Sequence, residues 1–397
     1  MDENKIIKLI VVDLSVKQTS PAGSCILSEL IGLSSFFEIH LLSTEIAPEL
    51  LDKVVYHEIK APSVPLVLRY MFFSKRVKTK MDQLLKKSEG TYLIQTTQGQ
   101  YEDCTVAYPH FCHRAYLKKH WEKSSIKGIR RFMRKLNHLY HAAQEIKAFK
   151  KAKVIVTPSE GLARELKETY PNVSDKIKVI ANPVDTVHYK KPEHFNKTEA
   201  RKKMGLVPSD VVISFAALGD FARKGLPELI KGLVLLKNYP NFKILVVGGK
   251  PGEIESYRQM SQKMGVGNQV IFAGFQRDIR PYLWMSDIFA LPSLYEIFSL
   301  VCIQAAAAGV PLMACKVHGV EEYLEPEKNG WLIERTPESV RDVLVEIANG
   351  KYDLKAMGQE AMKTAMQYDH QKYRQKWREV YEELLAEVAV SSETKKL

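Results

Sequence analysis

The sequence predicts an α/β protein made of two doubly wound domains. Short apolar runs, each closed by turn residues, recur along both halves: residues 6–13, 154–159 and 177–180 in the first, and residues 211–217, 244–249, 270–275 and 287–292 in the second. Helical patterns lie between them. Continuous apolar strands are what a parallel sheet buried on both faces requires, and the turns after them fall at the carboxyl edge, where such sheets bind ligands. At 397 residues the chain is too long for one ordinary core and sufficient for two.

The first half opens with the strand-like run at 6–13, passes a loop ending in Pro21-Ala22-Gly23-Ser24 and enters a helical run over 25–33. Its last strands are followed by Ala181-Asn182-Pro183-Val184-Asp185, and then by the polar stretch Lys190-Lys191-Pro192-Glu193-His194-Phe195-Asn196, which reads as a hinge. The second half opens at Val211. A charged segment with Tyr373, Trp377, Val380, Tyr381, Leu384 and Leu385 at helical spacing ends the chain. The expected division is an N-terminal domain of residues 1–190, completed by a C-terminal helix over about 371–397, and a C-terminal domain of residues 191–370.

Composition narrows the functions. Apolar residues make up 45% and charged residues 26%, an ordinary globular balance. The five cysteines include no Cys-x-x-Cys pair, so buried reduced thiols are expected, and no metal site. The start, Met1-Asp2-Glu3-Asn4-Lys5, lacks the pattern of a signal peptide, and no apolar stretch is long enough to span a bilayer. A cytoplasmic location is expected. The net charge of +12 is uneven: residues 1–190 hold 30 Lys and Arg against 20 Asp and Glu, leaving 28 against 26 for the rest. From Lys118 to Lys153, twelve cations face only Glu122 and Glu145. Such a run is either a solvated helix face or an attraction for anionic lipid or an anionic glycan. No nucleic-acid-binding signature accompanies it, so no nucleic acid partner is expected.

The richest segment is Pro292-Ser293-Leu294-Tyr295-Glu296-Ile297-Phe298-Ser299-Leu300, followed by an Ala-rich helical run that stops at Gly309. It reads as a strand end, a turn bearing a carboxylate, and a buried helix. The unpaired N–H groups of Phe298, Ser299 and Leu300, with the positive end of the helix dipole, form a site suited to a diphosphate. Upstream, Leu218-Gly219-Asp220-Phe221-Ala222-Arg223-Lys224-Gly225 follows the first strand of the second half, so a guanidinium and an ammonium also lie at a strand end.

This arrangement resembles the family 4 retaining glycosyltransferases, whose signature is Glu, seven residues, then Glu; here Gln304 takes the second place. The resemblance extends over nearly the whole chain. It implies a GT-B fold, two facing Rossmann-like domains with the active site in the interdomain cleft, and a donor that is a nucleotide-diphosphate sugar. It further implies that Glu296 accepts hydrogen bonds from the donor sugar, that Arg223 and Lys224 hold the diphosphate, and that Gln304 meets the ribose. Gln keeps one acceptor atom where Glu has two charged ones, a difference on the order of 1 kcal/mol in nucleotide affinity. Gly219 belongs to the same turn, where the family often carries an Arg and this chain has Asp220. Gly249 and Phe275, at strand ends, are candidates for the nucleobase pocket. In the first half, His113 resembles the family's cleft histidine, with His110 as the alternative, and Gly23 would allow acceptor or diphosphate to approach the backbone.

No Asp-x-Asp motif is present for a divalent cation, and no second carboxylate stands out as a covalent nucleophile. The resemblance therefore implies a metal-independent front-face displacement with no cofactor beyond the donor. Two other readings remain: a catalytically weakened sugar-nucleotide-binding protein, and a GT-B sugar-nucleotide epimerase. The apolar run at residues 65–73, followed by Lys75, Arg76, Lys78 and Lys80, suits either a core helix or a segment touching a membrane. A lipid-linked or an anionic glycan acceptor is the partner expected from it.

Overall fold

In this computed structural model, which describes residues 8–63, 65–87, 92–123, 128–236 and 238–394, two parallel sheets are formed. The first has the order β3 (Val55–Glu58), β2 (Glu38–Ser43), β1 (Lys8–Val12), β4 (Tyr92–Thr97), β5 (Val106–Tyr108), β6 (Val154–Thr157), β7 (Ile177–Val179). Lys8 of β1 stands opposite Glu38 and Tyr92. The second has the order β10 (Val270–Gly274), β9 (Phe242–Gly248), β8 (Val211–Ala217), β11 (Ile288–Leu291), β12 (Leu312–Cys315), β13 (Gly330–Ile333). Both are the α/β pattern expected, and the central strands β1, β8 and β11 are buried almost throughout, as their unbroken apolar runs require. Residues 6 and 7 of the first run, and Lys127 of the basic segment, lie outside the described residues.

The chain forms two compact units, one running to Pro183 and resuming at His370, the other Val184–Asp369. The first crossing precedes the stretch read as a hinge, for a physical reason. Val184 bridges to Asp369, Asp185 caps the turn Thr186–Tyr189, and Trp284 donates its indole N–H to the Tyr189 carbonyl at 2.7 Å. Residues 184–189 are thus tied to the second unit.

In the first unit, α1 (Pro21–Leu33) begins at the Ser20 cap, whose hydroxyl accepts from Gly23 N–H at 3.3 Å. Gly23 therefore lies in the first turn of a helix and not in a loop. A side chain there would meet the Ser15 carbonyl oxygen at 2.4 Å, so it is the protein's own backbone that approaches closely. α2 (Leu66–Lys87) places Phe73, Val77 and Met81 in a core cluster with Ile10, Val12 and Leu42. α3 (His113–Lys119) and α4 (Gly128–Lys151) follow. The helix His370–Thr394 closes this unit by burying Tyr373, Trp377, Tyr381 and Leu384; the Tyr373 hydroxyl reaches the Cys25 carbonyl of α1 at 3.2 Å, and Arg374 the Ser28 carbonyl at 3.0 Å. Truncating a buried side chain of the size of Trp377 costs about 3–5 kcal/mol, so this helix is integral to the unit.

Candidate active site

Two loops at the carboxyl edge of the second sheet interlock. After β8 the chain reaches Asp220 in a left-handed conformation (φ 61°), makes the single turn Phe221–Lys224 and leaves through Gly225 at φ 91°. A side chain at Gly225 would lie 2.2 Å from the Pro292 carbonyl oxygen, so only glycine lets this turn sit against the loop after β11. The Leu294 N–H donates to the Arg223 carbonyl at 2.9 Å, and Arg223 Nη1 donates to the Tyr295 carbonyl at 2.7 Å. Arg335, just beyond β13, ties both loops together by donating to the carbonyls of Pro292 (3.1 Å) and Ala222 (2.6 Å) while paired with Glu228 at 3.0 Å.

This lock brings three of the expected residues into one ion group. Lys224 Nζ lies 2.5 Å from Glu296 Oε1, and Arg223 Nη1 lies 3.7 Å from the same oxygen while Arg223 Nε holds Asp220 at 3.0 Å. The Glu296 side chain is 10% exposed and that of Lys224 17%. Burial pushes the Glu296 carboxyl up, but the Lys224 ammonium and the Arg223 guanidinium outweigh it and hold the group below the usual carboxylate value. The group carries two cations against two carboxylates. An arriving diphosphate would compete with Glu296 for Lys224 and Arg223, and leave the carboxylate to accept from hydroxyls.

The helix Leu300–Ala307 starts at Ser299, beside this group, and Gly309 (φ 77°) ends it, with Val310 N–H returned to the Ala305 carbonyl at 3.0 Å. Phe298 and Ser299 are buried at its entry, and a side chain at Gly319 would strike Phe298 Cα at 2.6 Å, so the loop after β12 holds this entry in place. Gln304 is half-buried, on the second turn of the helix. Gly219 abuts Glu253, whose Oε1 accepts the Phe221 N–H at 2.7 Å; that carboxylate, from the helix Pro251–Lys263, fills the start of the turn. Gly249 (φ 89°) admits the Phe221 ring, which a side chain there would meet at 2.4 Å, and Phe275 is 58% exposed after β10.

The first unit collects its own polar groups at the carboxyl ends of its strands. His113 begins α3, but its ring is enclosed. It stacks on His141 (4.6 Å between centroids) and its Nδ1 lies 2.9 Å from His138 Nδ1, while the backbone N–H of His113 donates to buried Glu145 at 2.9 Å. Burial, then the neighbouring His141 and His138, push its pKa well down. This ring is committed to its own unit. His110 differs: its Nε2 is buried and has no hydrogen-bond partner among the described residues, and burial lowers its pKa to about 3. Gln100 Oε1 and Asn137 Oδ1 are orphaned in the same way. At the end of β1, burial pushes the Asp13 carboxyl up to about 6 against a 2.7 Å hydrogen bond from Ser15 N–H. Sequence reasoning singled out neither Asp13 nor Arg335 nor Glu253. A carboxylate directly after the first strand was the one available signal, and it concerns Asp13 alone. Among the described residues no group of three or more His, Cys, Asp or Glu is placed to hold a metal ion.

Comparison with known proteins identifies the family. The description "glycosyl transferases group 1" matches residues 196–364, and "glycosyltransferase family 4" matches residues 101–188. The chain belongs to the family 4-like GT-B glycosyltransferases. Similar relatives include an uncharacterized glycosyltransferase of Methanocaldococcus jannaschii, 28% identical over 205 residues (50% of this chain and 52% of the relative). A D-inositol 3-phosphate glycosyltransferase of Corynebacterium glutamicum is 26% identical over 258 residues (61% and 60%). The matches thus span between half and three-fifths of the length of these curated relatives. Among solved structures, WaaG, a glycosyltransferase involved in lipopolysaccharide biosynthesis, has a TM-score of 0.74 at 16% identity, covering 93% of this chain and 98% of its own. Anabaena Alr3699/HepE in complex with UDP has a TM-score of 0.73 at 18% identity, covering 95% and 100%. Identities this low speak to the fold, which is GT-B.

Proposed function

We propose that this GT-B glycosyltransferase moves a hexosyl group from a nucleoside-diphosphate sugar to an acceptor hydroxyl, with retention of configuration and without a metal ion. The Lys224–Glu296 pair at 2.5 Å, with Arg223 beside it, carries the reading. A cationic pair on a carboxylate is the arrangement needed to exchange that carboxylate for a diphosphate and free it for sugar hydroxyls. The bond from the anomeric carbon to the phosphate oxygen breaks with its electron pair moving to phosphate, where Lys224 and Arg223 meet the developing charge. The acceptor oxygen bonds to the anomeric carbon on the same face, and its proton passes to the departing phosphate. Structures of Anabaena Alr3699/HepE contain UDP and UDP-glucose, which supports a donor of this class. NMR of the product, with chelator in excess, tests the proposal: a retained anomer is expected, and an inverted one or a metal requirement overturns it. Release of free sugar from UDP-glucose or another donor separates this reading from a non-catalytic binding protein.

We place the enzyme at the cytoplasmic face of a membrane, with a lipid-linked acceptor. Among the described residues no helix is long and apolar enough to cross a membrane. The support is the outer surface of the first unit. On α4, Ile129 (77% exposed), Phe132 (58%), Leu136 and Leu139 follow one helical stripe, opposite the buried His141, Glu145 and Phe149; on α2, Leu68, Met71 and Phe72 are also exposed. The one carboxylate of α4 is the buried Glu145, so Arg130 and Lys135 border the apolar stripe without opposing charge on that helix. An apolar stripe with cationic borders suits an anionic bilayer surface. Flotation with anionic and neutral vesicles tests it. Binding to anionic vesicles, weakened by salt and reduced about tenfold or more by Phe132→Asp, is expected; no binding at low salt would direct the search to soluble acceptors.

A further inference from the structure

We propose that the second unit holds a separate binding site for an organic phosphate at the amino edge of its sheet. A cavity of about 450 Å³ is lined by Lys190, Lys191, Lys197 and Trp284, by the turn Ala308–Pro311 and by the helix Leu354–Ala365. Asp287 directly precedes β11 and Pro311 directly precedes β12, so the cavity is at the opposite strand ends from Glu296 and Lys224. Its volume falls in the range of small-ligand sites.

The charge of the lining defines the ligand. Four ammonium groups, those of Lys190, Lys191, Lys197 and Lys355, meet a single carboxylate, Asp287. That carboxylate is already spent: Oδ1 takes Lys197 at 2.8 Å, and Oδ2 takes Arg201 at 2.5 Å and Val212 N–H at 2.8 Å. No described residue meets the ammonium groups of Lys190, Lys191 or Lys355 with a hydrogen bond or ion pair. Three uncompensated point charges around one cavity favour a group with several anionic oxygens, and ammonium groups accept phosphate in many orientations, unlike a guanidinium fork. The rest of the wall is mainly apolar, with Trp284, Val310 and Met362 beside the polar Ser286 and Gln359. Trp284 is held in orientation by its bond to the Tyr189 carbonyl and by Phe195, edge-on at 5.2 Å. A phosphate ester with a ring or hydrocarbon body matches this division better than inorganic phosphate.

The test is titration of the full chain with glucose 6-phosphate and with inorganic phosphate, followed by tryptophan fluorescence and calorimetry. Saturable binding of glucose 6-phosphate is expected, at least tenfold tighter than inorganic phosphate, weakened tenfold or more in Lys190→Glu and Lys355→Glu and unchanged in Lys224→Ala. Circular dichroism checks that the variants fold. Absence of saturable binding at millimolar ligand overturns the site. Binding lost in Lys224→Ala but kept in Lys355→Glu would assign it to the donor edge and overturn the site equally, while leaving the transfer reading intact. Equal affinity for the two ligands would overturn the role of the apolar wall.

Discussion

At Glu296 two effects oppose each other, and their balance makes the residue testable. Burial favours the neutral acid, while Lys224 and Arg223 favour the carboxylate and prevail. Lys224→Ala removes the nearer cation at 2.5 Å and leaves Arg223 at 3.7 Å. Turnover should fall about 100-fold, comparable to loss of a transition-state charge donor, and the acid limb of the pH–rate profile should move up as the Glu296 pKa rises. A folded Lys224→Ala variant with wild-type turnover would remove the pair from the reaction. Arg223, Lys224 and Glu296 were legible in the sequence because each stands in a short pattern at a strand end. Arg335 and Glu253 were not, since each is a single polar residue whose partners come from distant strands and become neighbours only when the sheet forms. His113 was likewise marked by a short pattern, whereas His138 and His141, which lie against its ring, stand a helix away in sequence and carried no signal.

Among the elements, the apolar strands were read from the chain because burial on both faces leaves an unbroken hydrophobic run; the seven-residue β8 is the clearest case. The strands β2, β12 and β13 were not read, and neither was the edge strand β3, whose Val55-Tyr56-His57-Glu58 is half exposed and carries no such run. The residues 65–73 also resisted a single reading, because Phe73 enters the core while Leu68, Met71 and Phe72 stay outside. How closely the two site loops depend on each other can be measured at Gly225. Alanine there must adopt φ 91° and place a carbon 2.2 Å from the Pro292 oxygen, whereas alanine at Gly205 (φ 73°) meets nothing within 4 Å. A residue held in a sparsely populated conformation costs about 1–3 kcal/mol. Gly205→Ala should show that cost alone in a urea midpoint and retain turnover. Gly225→Ala should cost more and lose turnover as well, because the Leu294–Arg223 bond is displaced. Equal stability and activity in the two variants would mean that the loops move independently.

Across the molecule, the two units handle buried charge differently, and pH should expose the difference. In the second, Glu296 and Asp287 are held by cations, Glu296 by Lys224 and Asp287 by Arg201. In the first, Glu29 and Glu145 are buried with no cation paired to them among the described residues; burial pushes both carboxyls up to about 8, despite the Gln95 amide at 3.0 Å from Glu29 and the backbone N–H of His113 on Glu145. Each is protonated in the folded unit and ionised in the unfolded chain between about 4.5 and 8, so stability falls as pH rises through that window. Asp13 adds the same sign between 3.8 and about 6. The histidines act in reverse. His57, His110, His113, His138 and His141 have pKa values lowered by burial from 6.5, and the unfolded chain takes up their protons first, so stability rises with pH up to about 6.5. Five histidines outweigh the carboxylates below that point, and the carboxylates act alone above it. The first unit should therefore be most stable near pH 6.5 and decline toward pH 8, by at most about 1.4 kcal/mol per pH unit for each carboxylate. Urea midpoints at pH 6.5 and 8, followed by tryptophan fluorescence, give the slope. Glu29→Gln, which stays neutral throughout, should remove about half of it, and a midpoint that rises over this interval in the wild type would show that Glu29 and Glu145 ionise without cost in the folded protein.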